Sequence, residues 1–200
     1  SLINSMIDPI RVAAVVPSGC RTWFTNLLQE LEQSHRPQER TSYLIDFPGF
    51  SNVFRLRVVA SENNLCREMP SSVDADLAGS SKPHRTLAER LLHELSALRH
   101  QRADFDVVFL FLPSRWATGF RGPKGDDFDL HDFLKAECAS YGMPLQILRE
   151  DRVLNYKCRA SVMWRLGLAT YCKAGGIPWR IAGADRLNPG RLRSRGRCVR

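Results

Sequence analysis

His131 and Lys135 are two side chains whose types and spacing could bind a nucleotide. They stand four residues apart in the run DLHDFLKAECASYG, which has the spacing of an amphipathic helix, so they lie side by side along one flank. An imidazole can stack on a base or hydrogen-bond an anion, and a lysine one turn away supplies a partner for phosphate. The same spacing is typical of a solvated helix edge, and this alternative stays open. The apolar stripe of this helix consists of Leu130, Phe133, Leu134, Cys138 and Tyr141.

Lys173 is a further candidate for an anion site. It falls on the same side as Val162 and Leu166 in a predicted helix that is apolar almost all round. A lysine side chain that points toward an apolar core is costly to bury unless an anion pairs with its ammonium group. A lysine just before Gly175 also suits the negative end of the helix dipole, which leaves a purely structural role open. Gln146 alternates with apolar residues in the predicted strand PLQIL and by itself indicates no chemistry.

Motifs of catalysis and metal binding are missing from the sequence. It contains no G-x-G-x-x-G, no G-x-x-x-x-G-K-[ST], no G-x-S-x-G and no H-E-x-x-H. The six cysteines form no C-x-x-C pair, so a zinc site is not expected. A cluster of aspartates indicates a solvated loop and charges that favour a helix N-terminus: Asp126, Asp127, Asp129 and Asp132. The sequence therefore predicts no catalytic residue and no metal ligand.

Alternating strands and helices must position these side chains. The predicted strands are residues 11–19 with a closing turn, 105–113, 144–148 and 177–181, with two short strands around Pro48-Gly49 in 43–59. The predicted helices are residues 22–34 with Thr22 as N-cap, 86–102, 129–142 and 160–176. Residues 69–83 and 114–127 are predicted loops. Each connection is long enough for a crossover, so we expect a Rossmann-like α/β fold, a mostly parallel sheet with helices on both faces.

Charge and composition limit the classes of partner. The chain of 200 residues carries a net charge of +8, of which residues 183–200 contribute +5 through six arginines and one aspartate. Such a balance favours anionic partners, nucleic acid first. We expect one domain over residues 1–182, followed by a disordered arginine-rich tail over 183–200. No apolar run approaches a membrane span and no signal peptide is evident, so we expect a soluble, cytoplasmic protein without a membrane partner.

Two runs in the second half of the chain resemble the MID domain of Argonaute and Piwi proteins, particularly prokaryotic Argonautes. They are FDLHDFLKAECASYGMPLQIL and WRLGLATYCKAGGIPW, and the resemblance covers Phe105 to about Ile181. The opening strand-helix unit and YLIDFPGFSNVF are similar to the beginning of the MID domain in short prokaryotic Argonautes. In this family, a pocket of the MID domain binds the 5′ phosphate of a guide. The pocket residues are an aromatic residue or His, a Lys one helical turn later, a Gln in the next strand, and a Lys just before a helix end formed by a small residue and two glycines.

The resemblance implies a role for each matching residue. His131 would stack on the first base, Lys135 and Lys173 would neutralise the 5′ phosphate, and Gln146 would hydrogen-bond it. The loop over residues 114–127 would correspond to the family's base-sensing loop. Many Argonautes have Tyr in place of His131, and some have a further Lys where Ala169 stands here, so a magnesium ion could assist at the phosphate.

The resemblance also implies partners. A guide RNA or DNA with a 5′ phosphate would be the ligand, in guide-directed defence against foreign nucleic acid. The family continues from IPW into a PIWI domain that carries the slicer carboxylates, and this sequence does not, so we expect no enzymatic activity. A PIWI region or an APAZ-containing effector protein would be the protein partner.

Two alternatives of other classes remain. The chain could be an interaction protein whose basic tail docks an acidic partner or a nucleic-acid backbone without a specific pocket. It could also be a Rossmann-like enzyme of unknown substrate, with Asp129, His131 or Asp132 as acid or base.

Overall fold

The computed structural model describes residues 8–61 and 65–178. Its centre is a five-stranded sheet in which every pairing is parallel. The strands are β1 (Ile10–Val16), β2 (Val58–Ala60), β3 (Cys66–Glu68), β4 (Val107–Leu112) and β5 (Leu145–Arg149). The helices are α1 (Arg21–Glu32), α2 (Phe50–Phe54), α3 (Val73–Gly79), α4 (Pro83–Arg99), α5 (Leu130–Ser140) and α6 (Arg159–Lys173). The expected α/β fold with a parallel sheet is confirmed.

The strand order is β2-β1-β4-β5, and β3 pairs with the second half of β1. The two central strands, β1 and β4, are the most apolar segments of the chain, and a strand covered on both faces needs such a sequence. β5 pairs in register with β4, with Gln146 opposite Phe109, and no described strand pairs with its other edge. The side chains of α5 and α6 near β5 therefore border the open edge of the sheet.

Two apolar layers lie on opposite faces of the sheet, because successive side chains of a strand point in opposite directions. One layer contains Val108 and Leu110 of β4 and packs against α3, α4 and α5. The other layer contains Phe109 and Phe111 and packs against α1, α2 and α6. α5 and α6 thus cover opposite faces next to the same edge strand.

Four local expectations are wrong. Residues 114–127 are not all loop, because Ser114–Gly119 form a 3-10 helix in which Trp116 is buried. Residues 43–59 do not form two strands, because Phe50 is buried at the start of the short helix α2 and only β2 is a strand there. Residues 69–83 are not a plain loop, since Val73 and Leu77, four residues apart, are buried on one side of α3. Thr22 is not the N-cap of α1: that position is Cys20, and no side chain caps the helix.

The C-terminal expectations are only partly within the described residues. Ile177 and Pro178 have no regular secondary structure. The rest of the expected strand over 177–181, the tail over 183–200 and the domain boundary at 182 lie outside the described residues. Within residues 8–61 and 65–178, the helices are all too short or too polar to cross a membrane.

Candidate nucleic-acid site

Helix α5 presents His131 and Lys135 to solvent. Asp129 caps its N-terminus, and the carboxylate oxygen Oδ1 accepts hydrogen bonds from the backbone N–H of His131 at 2.9 Å and of Asp132 at 3.3 Å. Leu130, Leu134 and Cys138 are buried against the sheet. His131 and Lys135 are exposed on the flank of this buried stripe, one turn apart.

Helix α6 carries Lys173 as its last residue. Val162, Leu166 and Thr170 are buried, and Lys173 continues the same side of the helix into a half-buried position. The helix ends there because Gly175 has φ +95°, a left-handed conformation that glycine adopts at little cost. Gly176 then packs against the ring of Tyr171, where a Cβ atom would lie 2.5 Å from ring carbons.

Lys135 and Lys173 line one open cavity of about 500 Å³, named here the lysine cavity. Its remaining walls are Ala139 and the segment from Gly142 to Leu145, which leads into the edge strand β5. In the described part of the chain, no carboxylate lies within ion-pair distance of either lysine, and no carboxylate lines the cavity. The arrangement therefore places two cations beside an unfilled space.

The pKa of Lys173 reflects this placement. Burial lowers the pKa of Lys173 below the ordinary lysine value, and the positive charge of Lys135 lowers it further. Both effects disfavour the charged form of Lys173 in the free protein. An anion in the lysine cavity would reverse both, because it would neutralise the two ammonium groups together.

His131 lines a second, separate cavity of about 250 Å³, named here the His131 cavity. It lies at the carboxyl ends of β4 and β5, the edge at which open parallel sheets bind ligands. Its lining residues are Leu112, Phe120, Arg121, Asp129, Leu130, Ile147 and Arg149. Phe120 and Arg121 belong to the loop expected to sense the base, so part of that loop does face His131.

The cations of the His131 cavity are already paired. Arg121 lies 3.0 Å from the Oδ2 atom of Asp129. Arg149 donates two hydrogen bonds of 3.0 Å to Asp151 and lies over the ring of Phe120, 5.0 Å from its centroid. This cavity therefore offers aromatic and apolar surface with compensated charge, unlike the lysine cavity.

Gln146 is not among the residues that line either of these two cavities. Its Nε2 atom donates a 3.3 Å hydrogen bond to the backbone oxygen of Ile147 in its own strand. Gln146 and Leu148 are two residues apart in β5, so their side chains point to the same face of the sheet. Leu148 belongs to the apolar layer beneath α6. Of the four residues expected to form one pocket, Lys135 and Lys173 share a cavity, His131 stands in a neighbouring one, and Gln146 is apart from both.

The acidic residues near α5 do not fit a resident metal ion. Within the described residues, Asp129, His131 and Asp132 are a group whose ligand atoms lie within 4.8 Å of one another. Both carboxylate oxygens of Asp129 are occupied, one by the helix cap and the other by Arg121. The lysine cavity offers ammonium groups, not carboxylates, so the suggested magnesium ion finds no acidic ligand in its walls.

The sequence reasoning missed the surroundings of Tyr141. This residue was expected on the apolar stripe of α5, but it is the C-cap of the helix and 39% of its surface is exposed. The guanidinium carbon of Arg99, at the end of α4, lies over the ring at 4.3 Å from its centroid. No spacing in the sequence indicates this contact, because it requires α4 and α5 to end at the same side of the sheet.

Comparisons with known proteins give structural likenesses but no sequence match. Neither a protein-family model nor a curated protein matches the sequence. A solved structure of the Argonaute of Aquifex aeolicus is similar, with a TM-score of 0.42 and 15% sequence identity. The match covers 87% of this chain and 20% of that chain, so the chain spans about a fifth of the length of this Argonaute.

Proposed function

We propose that this chain binds the 5′-phosphorylated end of a nucleic-acid strand in the lysine cavity. The observation that carries the proposal is that Lys135 and Lys173 line one cavity without a carboxylate partner among the described residues. The two ammonium groups repel each other, and the burial of Lys173 further disfavours its charged form in the free protein. A dianion in the cavity would offset both the repulsion between the lysines and the loss of solvation at Lys173.

A terminal phosphate suits such a site better than an internal one. Its charge is about −1.5 to −2 at neutral pH, and it has three oxygens that accept hydrogen bonds. Two lysines provide point charges and several N–H donors, which can follow this group without a fixed bidentate geometry. The ligand we propose is therefore the end of a strand, not its backbone.

The first base would occupy the His131 cavity. His131 stands one helical turn from Lys135, so a nucleotide with its phosphate between the lysines could reach the imidazole. His131 and Phe120 provide rings for stacking, and Arg121 is the polar group of the expected base-sensing loop. Gln146 would need to turn from its contact with Ile147 to reach the phosphate.

At the level of the whole protein, we propose a non-catalytic module of the kind that the MID domain forms in prokaryotic Argonautes. The ligand would then be a guide RNA or DNA, and the process would be guide-directed defence against foreign nucleic acid. A PIWI region or an APAZ-containing effector would act on the target. The resemblance of the motif residues, with His131, Lys135 and Lys173 placed as described, supports this assignment.

Binding of one oligonucleotide with a 5′ phosphate and of its 5′-hydroxyl twin tests the proposal. We expect the wild-type chain to prefer the phosphorylated strand strongly. Lys135→Ala should weaken binding of that strand by about 1.5–3 kcal/mol, because a charge-assisted contact is lost, and should change binding of the hydroxyl twin little. Lys157→Ala, at an exposed lysine outside both cavities, is the matched control. Equal losses for both strands would contradict the proposal.

A further inference from the structure

Four cations without a carboxylate partner gather around the ends of α4, α5 and α6. They are Arg99, Arg102, Lys135 and Lys173, and within residues 8–61 and 65–178 none of them has an ion pair. Arg102 joins the group to the lysine cavity, because its Nε atom donates a 2.9 Å hydrogen bond to the backbone oxygen of Gly142, a wall residue.

The arginines near the carboxyl ends of β4 and β5 contrast with this group. Arg85, Arg115, Arg121 and Arg149 each lie within 4.0 Å of an aspartate carboxylate. Those surfaces are therefore electrically compensated, whereas the surface beside the lysine cavity carries uncompensated positive charge. An extended anion is attracted to the uncompensated surface.

An aromatic ring lies within this positive surface. Tyr141 immediately precedes Gly142, keeps 39% of its surface exposed and has the guanidinium of Arg99 over one face. Tyr141 is six residues beyond Lys135, an axial separation of about 9 Å along the helix. An exposed ring next to unpaired cations is the usual composition of a stacking platform for single-stranded nucleic acid.

We propose that Tyr141, backed by Arg99, stacks on a base that follows the 5′-terminal nucleotide of a strand held in the lysine cavity. The inference rests on the proposed function, since the lysine cavity sets the register of the strand. Arg99 holds the tyrosine ring by a cation–π contact and adds positive charge beside the strand. Arg102 is held by the backbone oxygens of Gly142 and Phe105 and keeps a further positive charge fixed nearby.

Stacking on a base makes a different demand from binding of a phosphate. The platform needs a flat ring and not the phenolic hydroxyl, so Phe at position 141 should replace Tyr. The base of the 5′-terminal nucleotide is assigned to the His131 cavity, so the contribution of Tyr141 should begin only with longer strands. Any base has a face to stack, so the contribution should depend on the presence of a base and little on its identity.

The test measures the affinity of 5′-phosphorylated oligothymidylates of increasing length, from the mononucleotide to the tetranucleotide. The variants are Tyr141→Ala, Tyr141→Phe and Tyr43→Ala, the last at an exposed tyrosine on another surface. We expect Tyr141→Ala to weaken the longer strands on the order of tenfold and to leave the mononucleotide unchanged. Tyr141→Phe and Tyr43→Ala should bind every length as the wild type does.

Two results would overturn the inference in distinguishable ways. If Tyr141→Ala matches Tyr43→Ala at every length while the wild type still prefers the 5′ phosphate, the platform is refuted and the proposed function stands. If the wild type prefers no 5′ phosphate at any length, the proposed function fails and the platform fails with it. In a further series, the downstream thymidines are replaced by an abasic residue one at a time. At one of these positions the replacement should abolish the difference in affinity between the wild type and Tyr141→Ala.

Discussion

Lys173 is half-buried beside the positive charge of Lys135, and this position would couple the proposed binding of a phosphate to proton uptake. Burial and the neighbouring lysine lower the pKa of Lys173 in the free protein. A bound dianion favours the ammonium form and raises that pKa again. The proposed complex would hold the proton to a higher pH than the free protein does, so we expect the affinity to decrease as pH rises above the pKa of Lys173 in the free protein.

This coupling predicts a pH dependence with a definite sign. Between about pH 7.5 and about pH 10 the phosphate stays a dianion, so its own titration, with a pKa of about 6, is complete. We expect the preference for the 5′ phosphate to decline across this interval, starting below the ordinary lysine pKa. Lys173→Arg should flatten the decline, because a guanidinium stays charged throughout. Titration of both oligonucleotides at each pH provides the measurement, and a decline of the same slope in Lys173→Arg would contradict this origin.

The ends of helices were the hardest positions to predict at the level of single residues. The helical spacing of Leu130, Leu134 and Cys138 predicted correctly which side of α5 is buried, and His131 and Lys135 are exposed on its flank. The same spacing placed Tyr141 on the apolar stripe, which is wrong. The helix stops at Ser140, so the angular relation between residues no longer holds at the cap.

The end of α6 is an element whose geometry holds Lys173 in place. Gly175 has φ +95°, and a side chain at this conformation costs about 1 kcal/mol or more. We expect Gly175→Ala to lower the free energy of unfolding by about 1–2 kcal/mol, measured by urea denaturation. Gly79→Ala at the end of α3 should not destabilise and should raise the free energy of unfolding by up to about 1 kcal/mol, because the φ angle there is not positive and no atom lies within 4 Å of the added Cβ. A neutral Gly175→Ala would contradict the role of the left-handed turn.

The elements that the sequence predicted well are those with long and regular patterns. β1, β4, α4, α5 and α6 each combine a run of buried residues with a single period. The short helices α2 and α3 were missed because contacts from elsewhere stabilise them. Glu32 of α1 accepts hydrogen bonds from the backbone and hydroxyl of Ser51, and Trp116 donates to Asp74 in the first turn of α3. The local amino-acid composition of α2 and α3 does not predict these contacts, because the partners are distant in the sequence.

The lysine cavity is a property of the whole molecule. Lys135 and Lys173 belong to helices on opposite faces of the sheet, and they approach each other around the edge strand β5. The spacing of the two lysines in the sequence does not predict that they lie close together, because their proximity depends on the strand order β1-β4-β5. The resemblance to MID domains grouped them, but it also grouped Gln146, whose side chain contacts its own strand instead.

The distribution of carboxylates over the described chain leads to the last prediction, that this chain alone cleaves no nucleic acid. RNase H-type cleavage needs carboxylates that converge on two metal ions about 4 Å apart. In residues 8–61 and 65–178 the candidate group for a metal is Asp129, His131 and Asp132, and Asp129 has both oxygens engaged. A metal there would have to displace the N-cap of α5 or the contact with Arg121, which would destabilise the helix that carries Lys135. We therefore expect a complementary target to stay intact when the protein is incubated with a 5′-phosphorylated guide and magnesium or manganese. Guide-dependent cutting by the wild type that disappears in Asp132→Ala, a variant that keeps the N-cap Asp129, would contradict this expectation and favour the Rossmann-like enzyme.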